Sequence, residues 1–290
     1  MNPLLTRRAL VKGACALGGL ALLPPGLLHA ATIGSEPETI DLAVSPTRST
    51  KLFIWKPANP RGVVLFSTGH GSWPERYDRL ISVLLGQGFA VLAPLHVDSM
   101  HYPERDKFTF LSGLTERFAD MRATGAHAAK AFPGLPVIAA GHSFGTLVSL
   151  CLGGGLPHFK ARNPAVKAVL GFSSPGKQPG LVPDSAYSSV QVPVMIVTGT
   201  ADALPPVMGH ATAAEEHLFP AETAPAGTYA LVVEGGDHQL VDDAVRFPRA
   251  EAPVKLFVDA YGLGDAKARR KLDTWKPLAG DRWTLRKAQA

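Results

Sequence analysis

The 290-residue chain is nearly without cysteine, having only Cys15 and Cys151. Cys15 falls in an N-terminal segment unlike the rest, so Cys151 stands alone. A disulfide-stapled scaffold is thereby excluded, and stability has to come from an ordinary apolar core. Cys151 itself lies among apolar residues and reads as a small buried hydrophobe rather than a reactive thiol. Charged residues are also sparse, at 18 % of the chain. No basic stripe with interleaved aromatics occurs, so nothing points to nucleic acid as a partner. Long hydrophobic runs are missing too. The apolar stretch Gly13 to Leu23 ends at Pro24-Pro25 and falls well short of the ~20 residues that a stable membrane span needs. Low-complexity tracts and internal repeats are absent as well.

What the N-terminus does contain is an ordered set of signals. Thr6-Arg7-Arg8-Ala9-Leu10-Val11-Lys12 is basic, the apolar stretch follows, and small residues close it at His29-Ala30-Ala31. This is the layout of a signal peptide with its cleavage site. The twin arginine resembles a Tat signal, the address for export of folded proteins. Residues 1–31 are therefore expected to be a signal peptide, placing the protein in the periplasm or outside the cell. Arg7, Arg8 and Lys12 would leave with it, lowering the formal charge from +5 to +2. Residues 32–290 suit one large domain, since 46 % of the chain is apolar and can fill a sizeable core.

In that domain short apolar runs alternate with helical spacing. Strands are predicted at Leu52–Trp55, Val63–Phe66, Phe89–Ala93, Val137–Ala140, Val166–Phe172, Val192–Val197 and Tyr229–Val233. Helices are predicted at Glu75–Leu85, Leu114–Phe132, from the residue after Ser143 to Leu152, at Pro206–Leu218 and at Pro253–Tyr261. Near-continuous apolar strands separated by helices imply a mostly parallel sheet covered on both faces. Ligand sites in such sheets lie beyond the C-terminal ends of the strands. About twenty residues separate Phe172 from Val192, too few for a large helical cap, and the loop from Leu95 to Ser112 is expected to act as a partial lid.

Three residues placed just after predicted strands carry the chemistry. Gly141-His142-Ser143-Phe144-Gly145 is a G-x-S-x-G between a strand and a helix, the setting of a nucleophile elbow. A serine hydroxyl attacks poorly unless a base lies within reach and a third group orients that base. His238, in Glu234-Gly235-Gly236-Asp237-His238, follows the last predicted strand and is the candidate base. Asp202, in Gly199-Thr200-Ala201-Asp202, follows the strand before it and is the candidate acid. Glu234, Asp237, Asp242 and Asp243 are competing acids close to the histidine. His142, inside the elbow, reads as a packed, hydrogen-bonded residue.

The order Ser143…Asp202…His238 and these strand-end settings resemble the α/β-hydrolase superfamily over roughly Leu52 to Leu272. Leu256-Phe257-Val258-Asp259-Ala260-Tyr261 with Gly262-Leu263-Gly264-Asp265 resembles the helix after the histidine in dienelactone-hydrolase-like and secreted polyester-hydrolase-like proteins. The elbow resembles that of platelet-activating-factor acetylhydrolases. The resemblance implies an α/β-hydrolase fold with little or no cap, and a serine esterase working through an acyl-enzyme without a cofactor. It implies a small-molecule or lipid-like ester as substrate. An amidase, peptidase or lactonase on the same fold is the alternative, or a non-catalytic hydrolase-like binding protein.

An oxyanion hole requires two backbone N–H donors. Phe144 is expected to supply one. The other is expected from Ser67-Thr68-Gly69-His70-Gly71-Ser72-Trp73, which resembles the family's His-Gly-x-Gly loop with Thr68 in the place of the histidine. His70 is then the donor, with Ser72 as the alternative. Trp73, Phe144 and Met208 are candidates for lining the substrate pocket, though core packing would explain apolar residues there equally well. His96, Asp98 and His101 do not have the spacing of a zinc site and are expected to form a polar rim. No metal is expected.

Overall fold

In the computed structural model of this chain, residues 36–207 and 210–288 are described. The predicted signal peptide and Met208 lie outside them.

The aliphatic runs become the inner strands of one nine-stranded sheet. Its spatial order begins with β1 (Glu38–Ser45), β2 (Arg48–Trp55), β4 (Phe89–Pro94), β3 (Gly62–Ser67) and β5 (Val137–His142). It continues with β6 (Val166–Phe172), β7 (Val194–Gly199), β10 (Thr228–Val233) and β11 (Arg282–Arg286). From β4 to β10 every pairing is parallel, whereas β1–β2, β2–β4 and β10–β11 are antiparallel. The parallel strands are buried on both faces, except for Lys167 in β6. A chain with alternating side-chain directions then supplies two cores at once. Val63 and Leu65 point into one, with α2 (Phe110–Ala131) and α3 (Phe144–Leu152). Val64 and Phe66 point into the other, with α1 (Asp78–Gly86) and α5 (Pro248–Phe257).

Several elements differ from the sequence expectation. The helix predicted for Pro206–Leu218 is a hairpin instead, β8 (Leu204–Val207) with β9 (His210–Thr212), followed by a 3-10 turn at Ala214–Leu218 and α4 (Phe219–Thr223). Pro206 could have opened a helix, but Val207, Gly209 and Thr212 are weak helix formers, and Thr212 Oγ1 donates to Pro175 O at 3.1 Å and accepts from Gln178 Nε2 at 3.0 Å. The helix α2 starts before Leu114 because Thr109 and Ser112 form a reciprocal cap, with Thr109 N donating to Ser112 Oγ at 2.8 Å and Ser112 N to Thr109 Oγ1 at 3.2 Å. The last predicted helix begins earlier, with Pro248 in its first turn, and passes into a π-helical turn at Val258–Gly262. The edge strands β1 and β11 and the helix α6 (Ala266–Asp273) were not anticipated, since their residues are largely exposed and polar.

Between β6 and β7 the chain forms no helix or strand, in keeping with a sheet lacking a helical cap. Among the described residues no helix is long and apolar enough to cross a membrane. The C-terminal ends of β3, β7 and β10 open onto loops, and that of β5 onto the turn into α3.

Candidate active site

The turn from β5 into α3 is built for one residue type at each place. Ser143 has φ 53° and ψ −122°, a left-handed conformation that few non-glycine residues adopt. A Cβ on Gly141 would stand 2.2 Å from Gly145 O, and one on Gly145 would stand 1.9 Å from Ser67 O. Both contacts are with backbone and impossible for any larger residue. Ser143 N donates to Phe172 O at 2.8 Å, tying the strained residue to β6. The serine itself is half-buried.

Two loops from neighbouring strand ends meet beside it. A Cβ on Gly199 would lie 2.1 Å from Gly236 O, so the chain after β7 passes against the loop after β10 at backbone contact. Ala201 N donates to Gly236 O at 2.9 Å and Gly235 N to Thr200 Oγ1 at 2.9 Å. This lacing brings His238 Nδ1 within 2.8 Å of Asp202 Oδ1. Thr198 Oγ1 donates to the other oxygen, Oδ2, at 2.6 Å. Asp202 is fully buried. Burial would raise its pKa, but the hydrogen bonds and charges of His217 and His238 outweigh that and hold the carboxyl well below the usual range.

The competing acids are engaged elsewhere. Asp237 Oδ1 accepts from Gln239 N at 2.9 Å, Asp243 pairs with Arg246 at 2.9 Å, and Asp242 lies 3.7 Å from Arg76. The carboxylate of Glu234 lies where a Cβ on Gly280 would stand.

His142 connects these parts. Gly69 N donates to the Tyr77 hydroxyl at 2.9 Å, and that hydroxyl lies 3.1 Å from His142 Nδ1. His142 Nε2 is 2.8 Å from the carbonyl of His238, which can only accept. The proton of His142 therefore sits on Nε2, and Nδ1 accepts from Tyr77. Burial, then the neighbouring His238, pushes the His142 pKa down to about 3, so the ring stays neutral. The ring centroids of His142 and His238 are 4.9 Å apart. The described hydrogen bonds thus join His238 to Asp202 and to the residue before Ser143; none of them joins Ser143 Oγ to His238 directly.

The loop after β3 is braced from beneath by a buried guanidinium. Arg117, wholly buried on α2, donates from Nε and Nη2 to Asp98 at 2.8 Å each. Its Nη1 donates to Thr68 O at 2.5 Å and its Nη2 to Gly69 O at 2.9 Å. Burial opposes ionisation of Asp98, but Arg117 and His70 hold its carboxyl well below the ordinary value. With those carbonyls turned down onto Arg117, the loop's N–H groups face other partners. Gly71 N donates to Asp98 Oδ2 at 3.2 Å and Ser72 N to Gly69 O at 3.2 Å, so Ser72 has no free N–H. Among the described residues no hydrogen bond engages His70 N or Phe144 N. A Cβ on Gly69 would come within 3.5 Å of Ser143 Cβ, which places this loop against the elbow.

Neither family models nor curated proteins match the sequence. Solved structures do match the backbone. A thermophilic esterase from the Planctomycetes species Thermogutta terrifontis, in its propionate-bound form, superposes with a TM-score of 0.60 at 17 % identity, over 77 % of this chain and 93 % of that one. The same esterase phosphorylated by paraoxon gives 0.60 at 18 % identity, over 77 % and 94 %. Strand order, elbow and superposition agree. This is an α/β-hydrolase fold.

Within the hydrolase fold a small cavity opens beside Ser143. It measures about 70 Å³ and is walled by His70, Phe110, Phe144, Leu147, Pro175 and Leu181. Phe110 stacks on Phe144 at 4.6 Å between centroids, and the guanidinium of Arg117 lies 4.8 Å from the Phe144 ring. Trp73 is not part of this wall; it stacks on His101 at 4.2 Å. A larger cavity, about 550 Å³, lies between the C-terminal half of α2 and residues Lys160–Ala165, away from the proposed chemistry.

The expected polar rim is corrected by the structure: His96 and Asp98 are buried. His96 bridges Ser67 Oγ at 2.9 Å and Asp120 at 2.8 Å, and Asp120 pairs with Arg48 at 2.6 Å. Ser67, His96 and Asp120 are wholly buried, so these groups satisfy one another. Two participants were invisible in the sequence. Arg117 looks like any exposed helix charge. His217, whose Nε2 lies 3.0 Å from Asp202 Oδ1, sat within a stretch expected to be helical. Asp202, His217 and His238 do gather ligand-type atoms within 4.8 Å of one another. Both nitrogens of His217 and Nδ1 of His238 are already used on protein oxygens, however, so the donor set suits hydrogen bonding rather than a metal.

Proposed function

We propose that the chain is a serine hydrolase that cleaves carboxylic esters with short acyl groups. Ser143 is the nucleophile, His238 the general base and Asp202 the acid that orients it. The observation that carries this reading is the left-handed Ser143 on its glycine-enforced turn, beside a histidine whose Nδ1 is bonded to a buried carboxylate. With Nδ1–H committed to Asp202, Nε2 of His238 is the nitrogen left to take the Ser143 proton as Oγ attacks the ester carbonyl. The oxygen of that carbonyl becomes an oxyanion, stabilised by the N–H groups of Phe144 and His70. His238 then passes its proton to the departing alcohol, leaving an acyl-enzyme. Water, deprotonated by the same histidine, releases the acid and restores Ser143.

The cavity supports the short-acyl part. The space beside Ser143, about 70 Å³, is small and mostly apolar, enclosed by Phe110, Phe144, Leu147 and Leu181. The structural neighbours are an esterase, solved with propionate bound and after phosphorylation by paraoxon. We further propose that residues 1–31 direct export and are removed, as the twin arginine, apolar stretch and small-residue end suggest.

The test of the chemistry is covalent. A fluorophosphonate should label Ser143 in the native chain and leave Ser143→Ala unlabelled. The same substitution should cut kcat on a p-nitrophenyl ester by about a thousandfold or more while the fold persists. Retention of more than about a tenth of the activity would remove Ser143 from the nucleophile's role.

A further inference from the structure

Asp202 is approached by two imidazoles. His238 Nδ1 is 2.8 Å from Oδ1, and His217 Nε2 is 3.0 Å from the same oxygen. His217 Nε2 also lies 2.8 Å from the backbone carbonyl of Asp202, while its Nδ1 faces the carbonyl of Ser174. Every one of these partners is a carbonyl or carboxylate oxygen, able only to accept. A neutral imidazole has one N–H and one lone pair. In either neutral tautomer, then, one nitrogen of His217 would hold a lone pair against an oxygen lone pair. The side chain is wholly buried, so water cannot relieve the clash. Only the doubly protonated ring satisfies both sides.

From this geometry we infer that His217 is an imidazolium that serves as the fixed counter-ion of Asp202, a positioning residue for the ester hydrolysis proposed above. It rests on that reading only for its kinetic consequence, since the protonation state follows from the contacts. Asp202 and His217 together form a neutral pair, which lets the carboxylate be buried and still orient His238. The pKa directions agree: burial lowers that of His217, but the hydrogen bond and charge of Asp202 outweigh it and raise the group above its ordinary value. Other charged and titratable groups stand around the pair among the described residues. His238 lies 5.8 Å away ring to ring, and the neutral His142 stands behind it. Arg76 is the next charge acting on His142. Glu216 accepts from Ala213 N at 3.4 Å, and Lys177 pairs with Asp184 at 2.7 Å.

With His217 positive, a proton arriving on His238 places a second cation beside the first. Like charges repel, so the charge on His217 opposes the arrival of that proton, which an aspartate without its counter-ion would not do. Removing the charge should move the acid limb of kcat/KM for a p-nitrophenyl ester upward. His217→Gln, which keeps a donor toward Asp202 but not the charge, should shift it by at least about one pH unit. A loss of rate with the limb unmoved would make His217 merely structural and overturn the kinetic role. The second measurement is nitrogen NMR of the full chain labelled with 15N-histidine, with His217 assigned by its disappearance in the variant. Two N–H signals for His217 from about pH 5 to about pH 8 are expected. A free lone pair on either nitrogen at neutral pH would overturn the inference outright. If no ester is hydrolysed at all, the proposed function fails while the NMR result still decides the state of His217.

Discussion

Replacing Arg117 by methionine tests how the loop beside Ser143 is held. The change keeps the length of the side chain and deletes the guanidinium. It removes two hydrogen bonds to Asp98 and one each to Thr68 O, Gly69 O and Ser67 Oγ, all in a region without solvent. Removing one partner of a buried ion pair costs about 3–5 kcal/mol, because the other charge remains buried and uncompensated. That is a large share of the roughly 5–15 kcal/mol that hold a domain folded. The loss should depend on pH in a definite sense. In the native chain the Asp98 pKa is depressed, so its contribution is present above the ordinary carboxylate value near 4 and is lost as the pH falls below it. In Arg117→Met the largest opposition to burial is gone and His70 remains, so the carboxyl moves upward and protonation relieves the variant first. The stability deficit should be greatest near pH 7 and shrink towards pH 4. Urea unfolding of both proteins at the two pH values measures it. Adding Asp98→Asn should return at least about 1 kcal/mol by removing the stranded charge. Activity should fall about 10- to 100-fold, since the freed carbonyls let the His70 N–H drift from its place. A deficit below about 1 kcal/mol at pH 7, or one equally large at pH 4, would refute the reasoning.

The cavity volume predicts that kcat/KM for p-nitrophenyl esters is highest for acetate to butyrate and drops at least about tenfold by octanoate; a rate that rises with chain length would show that the acyl group lies elsewhere. Export predicts that N-terminal sequencing of the secreted or periplasmic protein begins near Ala31 or Thr32; an intact Met1 in a cytoplasmic fraction would contradict it.

The parallel sheet was legible because strands buried on both faces have to be apolar throughout, and Val63–Phe66 or Val194–Val197 can be little else. Ser143 was legible because its turn admits only glycine two residues before and two residues after it. Asp202 and His238 were candidates by their strand-end positions, but the choice among five acids was not in the sequence. It was made by the backbone contact of Gly199 with Gly236, which turns Asp202 towards the imidazole and leaves Asp237 in a local turn with Gln239 N. The pairing of β8 with β9 was missed because apolar spacing outweighed the weak helix formers Val207, Gly209 and Thr212.

The sequence by itself determined which groups were available: a strained serine, a strand-end histidine, a set of acids and a core without cysteine bridges. Tertiary structure decided how they were charged and joined. Arg117 and His217 each sit far along the chain from the groups they serve, and nothing in their neighbours marks them. Their roles arise from burial, which makes every carbonyl and carboxylate seek a donor and turns an ordinary arginine and histidine into the counter-ions of Asp98 and Asp202.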